Sequence, residues 1–264
     1  MKISHDFHIH TNLSICADRS VGLDTYIENA RKSGLKKIGI ANHFWDNTIE
    51  CGISFYNIQN YEHLAKIIPE IKEKSNDELK IYIGCEAEYD YKHRGVSITE
   101  ETAEKFDYIL VPNSHTHLTM PKDFYEPYQK HVDYMIQAYT DIINSNVSKY
   151  ITAIAHPFQA VRCPYPNDIL VKMISDDMFK RLFTQTAEAG IAYEINTTWM
   201  NKKTQEEIAD FEFIRMYRLA KESGCKFIFG SDSHKGTEHE KYSNAEFVAD
   251  LLGLDENDIL DIAR

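Results

Sequence analysis

Short apolar runs alternate along the whole chain with longer segments whose apolar residues recur every three or four positions. A short apolar run bounded by polar residues is typical of a buried strand in a parallel sheet, and the longer spacing is typical of an amphipathic helix. The pattern predicts strands at residues 4–9, 37–41, 80–86, 108–112, 150–155, 191–195 and 226–229. It predicts helices at residues 23–33, 61–74, 100–106, 123–145, 168–189, 203–223, 244–252 and 256–263.

Seven strands that alternate with helices favour one parallel sheet covered by helices. No tract rich in proline, glycine or serine divides the 264 residues, so we expect a single domain spanning residues 1–264. We predict a distorted (β/α)7 TIM-like barrel, because seven strand–helix units are one short of the usual eight. A doubly wound open sheet is the alternative.

The composition is that of an ordinary globular protein, with 43% hydrophobic and 27% charged residues. The formal net charge of −12 argues against stable binding to nucleic acid or to an anionic membrane. No apolar run is long enough to cross a membrane, and the five cysteines form no CxxC pair. We therefore expect a cytoplasmic protein with reduced thiols, and leave its oligomeric state open.

Histidine is the informative residue type, because seven of the twelve fall where predicted strands end. Polar side chains at the carboxyl ends of barrel strands face the mouth of the active site. A single histidine is more often structural, but so many imidazoles and carboxylates at one rim would repel or stay unsatisfied without a cation. The pattern thus predicts a metal site. It comprises His8, His10, His43, His115, His117, His156 and His234, with the carboxylates Glu86 and Asp232 beside them.

The other five histidines, His5, His63, His93, His131 and His239, are expected on loops or helix surfaces.

Five short motifs resemble, in the same order, those of the polymerase and histidinol phosphatase (PHP) superfamily. They are DFHIHT at 6–11, GCEAE at 84–88, SHTH at 114–117, AHPF at 155–158 and GSDSH at 230–234. In length the chain resembles the stand-alone branch that contains the histidinol phosphatases, because the polymerases are longer. The resemblance implies a distorted (β/α)7 barrel that holds two or three divalent ions, Zn, Mn or Fe, as cofactors.

The resemblance also implies how the ligands are divided. A first ion would be held by His8, His10 and Asp232, a second by His115 and His156 with Glu86 bridging the two, and a third by His43 and His234. Either Asp18 or Cys16 would complete the third site, and we favour Asp18 because a harder ligand suits manganese or iron. We assign His115 rather than His117 as the ligand, and His117 would face the substrate. Asn42 stands where the family often has aspartate, so it would tune its neighbour His43 differently.

Adjacent divalent ions make hydroxide from water at neutral pH and neutralise the charge that grows on a transferring phosphoryl group. We therefore expect a metal-dependent phosphomonoesterase in which metal-activated hydroxide attacks a small phosphate ester. The resemblance favours L-histidinol phosphate as that ester. The expected catalytic residues are Glu86, Asp232, His234 and His117. The proton donor to the leaving group stays open among His234, His117 and Asp18.

Arg162 and Lys235 are the candidate phosphate-binding residues. Arg162 lies six residues after His156, in a loop where the family carries a phosphate-binding arginine, and Lys235 follows His234 directly. The alternative function is a phosphodiesterase or nuclease that acts on nucleotides or on oligonucleotide ends. A non-catalytic, metal-binding regulatory protein is disfavoured, because nearly every ligand position carries a competent residue.

Overall fold

The main sheet consists of parallel strands, and it is built from the apolar runs of the sequence. The computed structural model describes residues 1–236 and 242–264. Its strands are β1 (His5–Ile9), β2 (Lys37–Ile40), β3 (His43–Phe44), β4 (Lys80–Ala87), β5 (Tyr89–Asp90), β6 (Gly95–Val96), β7 (Tyr108–Pro112), β8 (Ala153–Ala155), β9 (Ala192–Asn196) and β10 (Phe227–Gly230). The order in the main sheet is β1, β2, β4, β7, β8, β9, β10, and β3 pairs with β4 just beyond the end of β2. β5 and β6 form a separate antiparallel pair.

The sheet closes on itself between its first and last strands. The main-chain NH of His10 donates to the carbonyl of Ser233 at 2.9 Å, and Ile9 pairs with Ser233 as an isolated parallel bridge. This contact involves fewer paired residues than the ladders between the other neighbouring strands. The barrel is therefore nearly closed, without a full ladder between its first and last strands. The prediction of a distorted (β/α)7 TIM-like barrel is confirmed.

Helices surround the sheet. They are α1 (Leu23–Ser33), α2 (Tyr61–Leu64), α3 (Ile68–Lys74), α4 (Glu100–Ala103), α5 (Thr116–Thr119), α6 (Tyr128–Ile143), α7 (Asn167–Lys172), α8 (Asp176–Glu188), α9 (Gln205–Ala209), α10 (Glu212–Glu222) and α11 (Tyr242–Leu251). α1 has the predicted bounds. Three longer predicted helices, at 61–74, 168–189 and 203–223, are each divided in two. The hydroxyl of Ser175, for example, accepts from the NH of Met178 at 3.2 Å and starts α8 as a new helix.

The predicted helix at 256–263 is wrong. Only a 3-10 turn forms, at Glu256–Asp258. Beyond it, Ile259 pairs with Phe227 at the start of β10, and the NH of Leu260 donates to the Phe227 carbonyl at 3.0 Å. The end of the chain therefore satisfies its backbone groups against a strand rather than within a helix.

One aromatic side chain fills the interior of the barrel beneath the rim. The ring of Tyr108 lies over Gly39 and Gly84, and its hydroxyl donates to the Phe7 carbonyl at 2.9 Å. A Cβ atom at Gly39 would lie 2.4 Å from the Tyr108 hydroxyl oxygen, and one at Gly84 would lie 2.2 Å from a ring carbon. Both positions therefore require glycine, because a close-packed interior leaves no room for an extra carbon.

Two histidines expected at the surface are buried instead. His5 lies in β1 with 2% of its surface exposed, and His131 lies on the buried face of α6. His5 Nε2 accepts a hydrogen bond from the NH of Phe229 at 2.9 Å, which requires a ring nitrogen without a proton. Burial, aided by Lys37, lowers the pKa of His5 to about 3. His239 lies outside the described residues. Within the described part of the chain, no helix has the length and apolar character needed to span a membrane.

The buried His5 makes stability depend on pH. Because its pKa is about 3 in the fold and 6.5 in an unfolded chain, the unfolded state binds the extra proton between these values. The contribution of neutral His5 is therefore fully present above pH 6.5 and is lost as the pH falls toward 3. We expect His5→Gln, whose amide oxygen can accept from Phe229, to reduce the loss of unfolding free energy between pH 6.5 and 5 by about 1 kcal/mol.

Urea denaturation of both proteins at the two pH values checks this expectation, and the other titrating groups cancel in the difference. Equal pH slopes for the two proteins would contradict it.

Candidate metal centre

The carboxyl ends of the strands bring most of the predicted ligands to one place. His8 and His10 come from the end of β1, His43 from β3, Glu86 from β4, His115 and His156 from the residues after β7 and β8, and Asp232 and His234 from the loop after β10. Their side chains are almost fully buried, apart from those of Asp232 and His234, which are 16% and 26% exposed. Four groups of three can each place one ligand atom within 4.8 Å of the others.

The first group has the spacing of ligands around a single ion. His8 Nε2 and His10 Nε2 are 3.1 Å apart, and they lie 3.6 and 3.2 Å from Asp232 Oδ1. Two ligands bound tetrahedrally to one zinc ion at about 2.1 Å are separated by about 3.4 Å. The three side chains therefore fit a shared divalent cation.

Glu86 stands at the centre of the cluster and joins the remaining groups. Its Oε1 lies 3.4 Å from His8 Nε2, 2.9 Å from His156 Nε2 and 3.7 Å from His115 Nε2, and its Oε2 lies 2.8 Å from His43 Nδ1. Neither Glu86 Oε2 nor His43 Nδ1 makes a hydrogen bond among the described residues, although both are buried. Buried polar atoms that face each other without a hydrogen bond suit a cation between them.

The pKa values of Glu86 and His10 are shifted in the directions that suit binding to a cation. Burial favours the protonated form of Glu86, but the nearby His115, His8 and His43 hold its pKa well below the usual range. Burial, together with His234 and His43, holds the pKa of His10 well below its usual range. Ionised Glu86 and neutral His10 are thus in the forms that donate electrons to a metal. Despite the burial of His8, His43 and His115, nearby carboxylates raise the pKa of these three rings, so a cation would displace protons from them.

The second ring nitrogen of each inner histidine is held by another polar group. His8 Nδ1 donates to Glu194 Oε1 at 2.7 Å, and His115 Nδ1 donates to Glu88 Oε2 at 2.8 Å. His156 Nδ1 lies 2.6 Å from Ser114 Oγ. Such contacts fix the tautomer that turns Nε2 toward a metal and make the imidazole more basic.

Sequence reasoning did not assign these outer roles to Glu88 and Glu194. Sequence reasoning could have found them, because both are carboxylates near strand ends that had been given no role as metal ligands. Glu88 follows β4, and Glu194 lies in β9. Space for Glu194 comes from Gly230, where a Cβ atom would lie 1.9 Å from Glu194 Oε1. The Glu194 carboxylate also accepts from the NH of His156, so one side chain positions two histidines from different strands.

Asn42 acts on His10 rather than on its neighbour His43, where an effect was expected. Its Oδ1 accepts from the NH of Thr11 at 2.8 Å and from the hydroxyl of Ser14 at 2.9 Å. Ser14 Oγ in turn lies 3.1 Å from His10 Nδ1. Asn42 therefore orients His10 through Ser14, and no hydrogen bond joins its side chain to His43 in the described structure.

The structure separates Asp18 from the cluster. The Asp18 carboxylate is exposed and accepts from the NH and the hydroxyl of Ser20 at 2.9 and 2.7 Å. Cys16 instead reaches the cluster, with its sulfur 3.1 Å from His234 Nε2. Burial alone raises the pKa of this thiol, but contacts with His234 and His43 lower it to about 6. The backbone turn at 18–20 thus directs the aspartate away and the cysteine inward.

His115 and His117, two residues apart, have different surroundings. His115 lies in the cluster, whereas His117 is half-buried on the wall of the pocket above it. Burial, then the nearby His115 and Arg162, lowers the pKa of His117 to about 4. The structure thus groups His115 with the other candidate ligands and leaves His117 facing the space where a substrate would bind.

A pocket opens over the cluster. Arg162 is exposed at its edge, has a positive φ of 54°, and makes no hydrogen bond or ion pair with the described residues. Lys235 is exposed and does not line the pocket, but lies close to Asp18. The pocket is lined by Cys16, His43, Phe55, His115, His117, Leu118, Val161, Arg162, Asp232 and His234.

The fold and the site together define the class: a distorted TIM-like barrel with a candidate metal centre at the carboxyl ends of its strands. The chain belongs to the PHP domain family, whose model matches residues 6–198. Among curated proteins no sequence matches the chain.

Solved structures extend the likeness to almost the whole chain. Histidinol phosphate phosphatase from Lactococcus lactis, complexed with zinc, L-histidinol and phosphate, has a TM-score of 0.69 at 16% identity and covers 97% of this chain and 95% of its own. A candidate histidinol phosphatase from Listeria monocytogenes has a TM-score of 0.64 at 14% identity, covering 89% of this chain and 96% of its own. At these identities the likeness establishes the fold.

The central place of Glu86 predicts that it controls more than one cation. We expect Glu86→Gln to weaken zinc or manganese binding at two positions together, by more than about tenfold, because the amide is neutral and offers one acceptor oxygen instead of two. Metal analysis after equilibrium dialysis measures this loss. The matched control is Glu78→Gln, which changes an exposed carboxylate just before β4, at the opposite end of that strand from Glu86. Unchanged metal content in Glu86→Gln would show that Glu86 does not bridge.

Proposed function

We propose that this protein is a metal-dependent phosphomonoesterase that hydrolyses a small phosphate ester. The observation that carries the proposal is the position of Glu86, whose two carboxylate oxygens lie within 3.7 Å of nitrogens from five different histidines. One carboxylate shared by several imidazole groups is the ligand pattern of adjacent divalent ions. Such ions, when bound, lower the pKa of water and neutralise the charge of a transferring phosphoryl group.

The chain's own residues would hold these ions in fixed positions. His8, His10 and Asp232 would hold one, and His115 and His156 would hold the next, with Glu86 shared between them. Glu194 and Glu88 keep the rings of His8 and His115 in one tautomer and one orientation. A preorganised set of donors loses little energy in rearranging during the reaction, which is the main source of electrostatic catalysis.

The wall of the pocket would bind the ester. Arg162 has no partner among the described residues and presents a guanidinium suited to two phosphate oxygens. Phe55, Leu118 and Val161 supply an apolar side for the alcohol part of the substrate. With a pKa of about 4, the His117 ring is neutral at pH 7, so it can accept a hydrogen bond from the substrate but holds no spare proton for the leaving group.

L-Histidinol phosphate is the substrate that we propose. The support is the family, together with the similar Lactococcus lactis structure that holds L-histidinol and phosphate. The test measures phosphate release from L-histidinol phosphate by the purified protein with Mn²⁺ or Zn²⁺, beside a nucleoside monophosphate and an aryl phosphodiester. We expect the monoester L-histidinol phosphate to be hydrolysed fastest.

Each other outcome of this test is informative. Faster hydrolysis of another monoester would overturn the substrate and retain the reaction class. Preference for the diester would support the phosphodiesterase alternative. Metal binding without hydrolysis of any ester would favour a regulatory protein.

Arg162 provides a prediction about substrate affinity. We expect Arg162→Ala to raise KM for the ester by about tenfold to a hundredfold and to change kcat less, because a hydrogen bond to a charged group contributes about 1.5–3 kcal/mol. Steady-state kinetics with the preferred ester measures both constants. Lys235→Ala is the comparison, since Lys235 carries the same charge but does not line the pocket. A larger rise in KM for Lys235→Ala would assign phosphate binding to Lys235 instead.

A further inference from the structure

Cys16 lies beside two histidines, His43 and His234, at the outer edge of the cluster. Its sulfur is 3.1 Å from His234 Nε2, and its side chain also contacts His43. His10, His43 and His234 can place their ring nitrogens within 4.8 Å of one another. The rings of His10 and His234 are stacked with centroids 4.2 Å apart, and the Cys16 sulfur lies beside this group of imidazoles at His234.

Backbone hydrogen bonds hold the Cys16 loop in this position. The NH of Asp18 donates to the His234 carbonyl at 2.9 Å, and the NH of Ala17 donates to the Ser14 carbonyl at 3.1 Å. On the other side, the NH of Ile15 donates to the buried side chain of Gln59 at 3.1 Å. The thiol is therefore positioned by the main chain on both sides and does not depend on its contact with His234.

The buried ring of His43 also points to a ligand at this end of the cluster. The side chain of His43 is only 7% exposed, and its Nδ1 faces Glu86 Oε2 at 2.8 Å without the geometry of a hydrogen bond. Leaving a buried imidazole nitrogen unsatisfied costs about 1–3 kcal/mol, which a bound cation would offset. Asp18, the harder alternative ligand, has its carboxylate engaged with Ser20 outside the cluster.

We propose that Cys16 supplies a thiolate ligand to a cation site completed by His43 and His234, and that this site takes a borderline or soft divalent cation such as Zn²⁺ or Co²⁺. A sulfur and a nitrogen bound tetrahedrally to one zinc ion lie about 3.5 Å apart. The 3.1 Å separation of Cys16 Sγ and His234 Nε2 needs an adjustment of only a few tenths of an ångström. The site is part of the proposed hydrolase centre, so the inference deepens that function.

The donor set distinguishes this site from the inner ones. The groups around Glu86 and Asp232 offer only nitrogen and oxygen, which accept manganese as readily as zinc. A thiolate disfavours Mg²⁺ and Mn²⁺ and favours Zn²⁺, Co²⁺ or Fe²⁺. The chain would therefore carry one position that is more selective than its neighbours, at the side of the pocket nearest solvent.

Cobalt provides a direct test, since a bond from thiolate to Co²⁺ produces an intense charge-transfer absorption in the near ultraviolet. We expect the full chain, titrated with Co²⁺, to develop this band and Cys16→Ser to lose it together with about one bound ion per chain. Cys16→Asp should recover the ion without the band, because oxygen replaces sulfur as the donor. Cys16 is exposed, so these variants are expected to fold.

Two controls separate the proposed ligand from its rivals. Cys163→Ser changes a thiol that also lies beside an imidazole, 3.8 Å from His131 Nδ1, and should keep the band. Asp18→Asn should keep both the band and the bound ion.

The inference is overturned if wild-type protein saturated with Co²⁺ shows no band, if the band persists in Cys16→Ser, or if Asp18→Asn loses the ion instead. A band that depends on Cys16 in a protein that hydrolyses no phosphate ester would remove the proposed function and leave this site standing. Rapid ester hydrolysis without any such band would remove this site and leave the proposed function standing.

Discussion

The structure depends on one buried negative charge. Glu86 is almost fully enclosed, and the groups around its carboxylate are imidazoles from β1, β3 and the segments that follow β7 and β8. An isolated carboxylate in such a place would be very unfavourable, so positive charge must lie beside it, either as protons on histidines or as cations. The raised pKa of His43, about 10 because of Glu86 and Cys16 despite its burial, shows how strongly this place attracts positive charge.

The rest of the barrel holds the histidines around this charge. Tyr108 packs over Gly39 and Gly84, which brings β2, β4 and β7 close together beneath the rim. Gly230 leaves the space in which Glu194 bonds to His8 and to the backbone of His156. The backbone also takes left-handed conformations at His156 and Asp232, with φ of 25° and 50°. Such conformations are uncommon for residues other than glycine and persist where the surrounding structure enforces them.

The site also reconciles an acidic protein with an anionic substrate. The net charge of −12 describes the whole chain, whereas the pocket is lined by imidazoles, by Arg162, which has no ion-pair partner among the described residues, and by side chains that could bind divalent cations. Cations held there would reverse the local sign of the potential, because the bound ion is the largest charge in such a site. Carboxylates at the strand ends thus account for the attraction of cations, and the cations would account for the attraction of phosphate.

The sequence by itself determined the alternation of parallel strands and helices and the sheet edge on which the ligands lie, because both follow from local patterns: apolar runs make strands, and polar residues follow the carboxyl ends of those strands. It did not determine the closure of the sheet between β1 and β10, the breaks within three of the longer predicted helices, the burial of His5 or the strand-like pairing of Ile259. Nor did it determine that Glu194 supports His8 or that Cys16 rather than Asp18 reaches His234. These pairs are 186 and 218 residues apart in the chain. Their choice depends on how distant segments pack, and only the tertiary structure contains that information.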